Sequence, residues 1–192
     1  TSPETLTLAS GTSEAYRLLF ELLCDPGDEL LVSSPGYPLI DVLARMSGVG
    51  VAHYKLHYSV RWQIDLADLE SKISSRTRAI VLISPNNPTG HVANEAELAR
   101  IATLCAKHDL ALIVDEVFVD YAKSRSHHPA LLGGAQNSLT FLLNGLSKSA
   151  GLPQVKLSWI LASGPTERVL EARRRIEFLT DSLLSVSTFA QL

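Results

Sequence analysis

Two short runs constrain the fold more than anything else in this chain. Ala79 to Ile83 and Leu110 to Val114 contain no polar residue at any position. A strand with one face in water alternates apolar and polar residues, whereas a run without alternation is covered on both faces. Strands of that kind belong to parallel sheets sandwiched between helices. Five further stretches read as strands: Glu4 to Ala9, Glu29 to Ser34, Val49 to Tyr54, Ser138 to Leu143 and Lys156 to Ala162. Amphipathic segments separate them. After Ser13, the residues Ala15, Leu18, Leu19, Leu22 and Leu23 form one helical stripe, which Asp25-Pro26-Gly27-Asp28 ends. A second helix spans Asn94 to about Lys107, with Asn94 and Glu97 spaced as a capping box. Further helices fit Tyr37 to Met46, Asp65 to Ile73 and Pro165 to Leu179. The expected fold is α/β: three layers, α/β/α, around a mostly parallel sheet.

The length, 192 residues, suits one domain with a substantial core. A net charge of −3 gives no general attraction to nucleic acid or to anionic membranes, so neither is expected as a partner. Arg173-Arg174-Arg175 falls in a helical pattern and reads as a solvated face. Cys24 and Cys105 lie in apolar helical patterns without metal-ligand spacing, and are expected to be reduced core residues. No metal site is expected. His127-His128 reads as an exposed loop pair. No apolar run approaches the roughly 18 residues of a membrane span, and no signal peptide is visible, so a cytoplasmic location is expected. The chain starts at Thr1 without an initiator Met and is expected to be a portion of a longer protein.

Sheets of this kind bind ligands at the carboxyl ends of their strands. The chemically loaded residues fall there. Gly11-Thr12-Ser13 follows the first strand and opens a helix, whose free N–H groups suit a phosphate; the same tripeptide can also be a mere cap. Tyr37 follows the second strand, between prolines, and can stack on a flat heterocycle or simply edge the core. Asn87, in Asn86-Asn87-Pro88-Thr89-Gly90, can donate to a phenolate-like oxygen or just form the turn; Asn87-Pro88 is a candidate cis bond. Asp115 follows four apolar residues, and a carboxylate at the buried end of a strand requires a cation, a metal or a helix end beside it. Lys148 lies in Asn144-Gly145-Leu146-Ser147-Lys148-Ser149-Ala150-Gly151, where partial desolvation would free its amine as a nucleophile. A phosphate-binding P-loop requires Gly before Lys, and here the order fails. A serine elbow requires Gly-x-Ser-x-Gly, and position 149 is Ser.

Three motifs in one order resemble the class I/II aminotransferases of the fold type I pyridoxal-phosphate enzymes. They are Ser84-Pro85-Asn86-Asn87-Pro88-Thr89-Gly90, Val114-Asp115-Glu116-Val117-Phe118 and Ser147-Lys148-Ser149-Ala150-Gly151-Leu152-Pro153. The resemblance covers nearly the whole chain and implies the large domain of such an enzyme over residues 1–192. It implies that Lys148 binds pyridoxal 5′-phosphate as a Schiff base and later moves a proton at the substrate α-carbon. It implies Asp115 at the pyridine nitrogen, Asn87 at the ring oxygen, Tyr37 on the ring, and Gly11, Thr12, Ser13 and Ser147 near the phosphate. Amino acids and 2-oxo acids are the implied substrates, and a homodimer the implied assembly.

Two positions depart from that family's pattern. Phe118 stands where a tyrosine is usual, so a phenol donor to the ring oxygen is missing. Lys156 stands at the phosphate-binding arginine position and brings charge without a bidentate fork. The family's chains are about twice this length, with a small domain that supplies the arginine for the substrate carboxylate. On that resemblance, the 192 residues alone are expected to transaminate little or not at all. Two other functions stay open on the same scaffold: a β-eliminating lyase, and a non-catalytic cofactor-binding effector domain of a regulator.

Overall fold

A computed structural model describes residues 6–122, 137–183 and 186–192. Glu4, Thr5 and the His127-His128 pair lie outside them. Eight strands form one sheet: β1 (Leu6–Ala9), β2 (Glu29–Ser34), β3 (Gly50–Ser59), β4 (Arg61–Ile64), β5 (Thr77–Ile83), β6 (Ala111–Asp115), β7 (Thr140–Gly145) and β8 (Ser158–Ser163). The helices are α1 (Thr12–Leu23), α2 (Leu39–Met46), α3 (Leu66–Lys72), α4 (Glu95–His108), α5 (Leu146–Ser149), α6 (Thr166–Asp181) and α7 (Thr188–Gln191), with a 3₁₀ turn at Val119–Tyr121.

The sheet order is β1-β8-β7-β6-β5-β2-β3-β4. Its centre is parallel: β7 with β6, β6 with β5, β5 with β2, and β2 with β3. The flanks are antiparallel, β8 pairing with both β7 and β1, and β4 folding back on β3. The apolar runs that predicted double-sided burial are the central strands. Along β5, Ala79, Val81 and Ile83 enter one core cluster, with α1, α2 and α6. Ile80 and Leu82 enter the other, with α3 and α4. Strand alternation thus feeds two cores from one run, giving three layers.

The capping box at α4 is present. Asn94 Oδ1 accepts from the Glu97 N–H, and Glu97 Oε2 accepts from the Asn94 N–H, at 3.0 and 2.9 Å. Two differences from the sequence reading stand out. β3 runs past Tyr54 to Ser59, and the hairpin strand β4 follows it. Val60, at the tip, adopts φ 64° and is almost fully exposed. A β-branched residue in the left-handed region carries none of the Gly or Asn signal of a tight turn. Arg173 and Arg175 pair with Glu177 and Glu171 one turn away, as befits a solvated face. Among the described residues, no helix is long and apolar enough to cross a membrane.

Candidate active site

The chain leaves β2 for β3 on one side and β5 for β6 on the other. β2 and β5 are neighbours, so their carboxyl ends diverge at a topological switch point. A cleft of about 740 Å³, counted to its open mouth, lies at these strand ends. Its walls include Thr12, Ser13, Tyr37, Asn87, Asp115, Phe118, Ser147 and Lys148. Five separate loops therefore meet on one space. Two candidates stay off its walls. Gly11 caps α1 with φ 144°, a conformation that glycine alone tolerates. Lys156, exposed and at φ 57°, does not line the cleft.

Alternation on β6 explains what Asp115 faces. Ala111 and Ile113 point into the cluster that holds α1, and Asp115 continues that parity. There it meets Tyr16 of α1, whose hydroxyl donates to Asp115 Oδ2 at 2.8 Å. The Val117 N–H donates to Oδ1 at 3.0 Å. Asp115 is 5% exposed and has no cationic partner among the described residues. Burial raises its pKa, and the two hydrogen bonds, from Val117 and Tyr16, pull it back in part. Tyr16 is held well above the ordinary phenol range by burial and by the Asp115 charge, so it remains a neutral donor. Glu116 is pushed up to about 7, first by burial and then by Asp115.

Lys148 sits on the one-turn helix α5, which starts from Gly145 at the end of β7. The desolvation anticipated for Lys148 is not present: the residue is exposed, because α5 stands at the edge of the cleft. Its Nζ lies 5.9 Å from the Phe118 ring centroid. Tyr121 does not replace the phenol missing at Phe118. Its hydroxyl donates instead to the Lys148 backbone carbonyl at 2.9 Å.

Asn86 fixes the neighbouring loops. Its Oδ1 accepts from Ser33 Oγ, and its amide donates to the Pro35 carbonyl and to Thr89 Oγ1, at 3.2, 3.1 and 2.8 Å. The loop that bears Tyr37 is thereby tied to the loop that bears Asn87. The Ser34-Pro35, Ser84-Pro85 and Asn87-Pro88 bonds are cis. The side chains of Thr12, Ser13, Asn87 and Ser147 make no hydrogen bond to described residues, so their polar groups are available to a ligand.

The sequence reading missed Tyr16, Asn86 and the apolar wall of Leu39, Ile40 and Leu43. Tyr16 did carry a signal. It stands four residues after Thr12, on the same helical face as a phosphate-loop candidate, and is the one residue with a hydroxyl in an apolar stripe. Asn86 had none, being adjacent to the more conspicuous Asn87.

The donor set fits pyridoxal 5′-phosphate. A buried carboxylate without a cation suits a protonated ring nitrogen, free hydroxyls at a helix start suit a phosphate, and an amine suits an aldehyde. Comparison with known proteins agrees. An alanine aminotransferase of Mycobacterium tuberculosis is 35% identical over 184 residues, 96% of this chain and 43% of that protein. The glutamate-pyruvate aminotransferase AlaA of Escherichia coli is 32% identical over 188 residues, 98% of this chain and 46% of that protein. The chain therefore spans less than half the length of these curated relatives. The solved alanine aminotransferase of Pyrococcus furiosus superposes with a TM-score of 0.91 at 31% identity, covering 100% of this chain and 48% of that one. The family model "Aminotransferase class I and II" matches residues 1–192, and with these relatives it shows that the chain belongs to the class I and II aminotransferases.

Proposed function

We propose that residues 1–192 form the cofactor-binding large domain of a pyridoxal 5′-phosphate-dependent aminotransferase, which moves an amino group between an amino acid and a 2-oxo acid. The observation that carries this reading is one cleft shared by Lys148, Asn87 and a buried Asp115 without a cationic partner among the described residues. When bound, the cofactor's pyridine ring supplies an electron sink for the pair released at the substrate α-carbon.

The chain's own residues do the rest. The Asp115 carboxylate would pair with the ring nitrogen. The Asn87 amide would donate to the ring oxygen, and Tyr37 would cover the ring. The N–H groups at the start of α1, with the Thr12, Ser13 and Ser147 hydroxyls, hold the phosphate. Lys148 would hold the cofactor through its amine, and the same amine, at the edge of the cleft, would be the group that moves a proton at the substrate α-carbon. Lys156 lies outside the cleft walls, so its contribution to phosphate binding is long-range charge at most. The names of the relatives favour alanine, glutamate and pyruvate as first substrates to assay. A homodimer in the cytoplasm completes the reading; for the location, the support is that Cys24 and Cys105 are unpaired thiols, as is usual in a reducing compartment.

The test is borohydride reduction of the full-length protein after cofactor addition, then peptide mapping. Reduction should bleach the visible band and label Lys148. A label on another lysine, or none, refutes the reading. Assay of the same protein should yield a new amino acid from a 2-oxo acid acceptor; ammonia with pyruvate would identify a lyase instead.

A further inference from the structure

We propose that Tyr16 is a positioning residue for this reaction: its hydroxyl orients the Asp115 carboxylate and keeps the shared proton on the cofactor's ring nitrogen rather than on Asp115. The inference rests on the cofactor reading above and goes beyond it.

Tyr16 is 2% exposed, and its ring packs against Phe20 with centroids 5.8 Å apart. The core therefore fixes where the hydroxyl stands. Both Tyr16 and Asp115 line the cleft, and they come from elements 99 positions apart in the chain. Phenylalanine would fill the same apolar position but would leave Asp115 Oδ2 without its hydroxyl donor. The hydroxyl has one described partner, Asp115 Oδ2 at 2.8 Å, while the Val117 N–H occupies Oδ1. One donor on each oxygen sets the plane of the carboxylate and leaves further lone pairs on both oxygens. A carboxylate stabilised by donors is a weaker base, so a proton shared with a ring nitrogen moves toward the nitrogen. Tyr16 can fill this role because burial and the Asp115 charge keep it protonated. The donor is thus fixed, neutral and aimed at the group that must stay ionised.

The experiment uses the full-length protein reconstituted with cofactor isotopically labelled at the ring nitrogen, read by nitrogen NMR across pH. Tyr16→Phe should move the ring-nitrogen resonance toward the unprotonated value. It should also lower kcat by roughly tenfold, the worth of one hydrogen bond to a charged group, and change KM less. A ring-fluorinated tyrosine at position 16, a stronger donor, should shift the resonance the opposite way. An unchanged resonance in folded Tyr16→Phe, with only a lower Tm, overturns the proposal. If Tyr16→Phe does not fold, the fluorinated protein decides, and absence of a shift overturns it. Unsubstituted protein that binds no cofactor refutes the cofactor reading as well, an outcome distinct from a silent Tyr16→Phe.

Discussion

On the proposed reading, Asp115 costs the cofactor-free protein stability for the sake of a ligand. A carboxylate 5% exposed, with two hydrogen bonds and no cation among the described residues, gives up more hydration than it recovers. Asp115→Asn should therefore leave the Tm of cofactor-free protein unchanged or raise it, while cutting turnover by about a hundredfold or more through loss of electrostatic stabilisation. A clear drop in Tm would show that the charge is structural. Phe118 makes a second case. Without a phenol at that position the ring oxygen keeps more negative charge, which stabilises a protonated Schiff base. Phe118→Tyr should lower the pKa of the visible band in a spectrophotometric titration; an equal or higher value would refute this. The convergence of Lys148, Asp115 and Asn87 on one cleft was legible in the sequence because each is a polar residue at, or within four residues of, the end of an apolar strand. Tyr16 carried only the faint signal of its helical face, because its contact with Asp115 depends on which face of β6 turns toward α1, and only the assembled sheet decides that.

At the scale of elements, the placement of Lys148 depends on a close approach of backbones. A Cβ at Gly145 would lie 2.8 Å from Ser158 Cβ and 2.9 Å from the Leu157 carbonyl oxygen. Gly145 also caps α5, so any displacement there reaches Lys148 three residues on. Gly145→Ala should cost about 1–3 kcal/mol through overpacking and weaken cofactor retention; calorimetry and absorbance of bound cofactor check both. Gly11→Ala is a useful contrast, since the added Cβ meets open space and only the backbone at φ 144° resists it. The central strands could be read from the sequence because double burial leaves an unmistakable apolar run. The β3–β4 hairpin could not, because Val60 turns it in the left-handed region at a cost of roughly 1–2 kcal/mol. The antiparallel direction of β1 and β8 was equally hidden, since strand direction leaves no trace in composition.

For the whole molecule, two raised carboxyl groups set the sign of the pH response above the ordinary carboxylate range, while Glu97 and Glu70, which are lowered, act below it. Asp115 is raised by burial, and Glu116 rises from its ordinary 4.5 to about 7. Each binds a proton more readily folded than unfolded, so stability falls as pH rises through the interval between the two values. The urea midpoint of cofactor-free full-length protein should be higher near pH 5 than near pH 8, within about the 2.3RT-per-proton slope of a single titrating group. Glu116→Gln should remove much of the slope, and a flat profile in the unsubstituted protein would contradict the assignment. Cofactor should reduce the part due to Asp115, because a ring-nitrogen cation favours its ionised form.

The pairing of the first strand with the last described strand has a consequence for synthesis. Ser158 donates to the Ala9 carbonyl 149 positions away, and among the described residues β1 joins the sheet through β8 alone. β1 therefore has no edge to join until β8 has been made. The loop that opens α1 follows β1 directly, so it precedes by far the strand that anchors β1. Contacts of such long range also close slowly. A nascent chain paused before β8 would carry the Asp115 strand and the Gly11-Thr12-Ser13 loop with β1 still unpaired, so cofactor capture would follow the pairing of β8 rather than guide it.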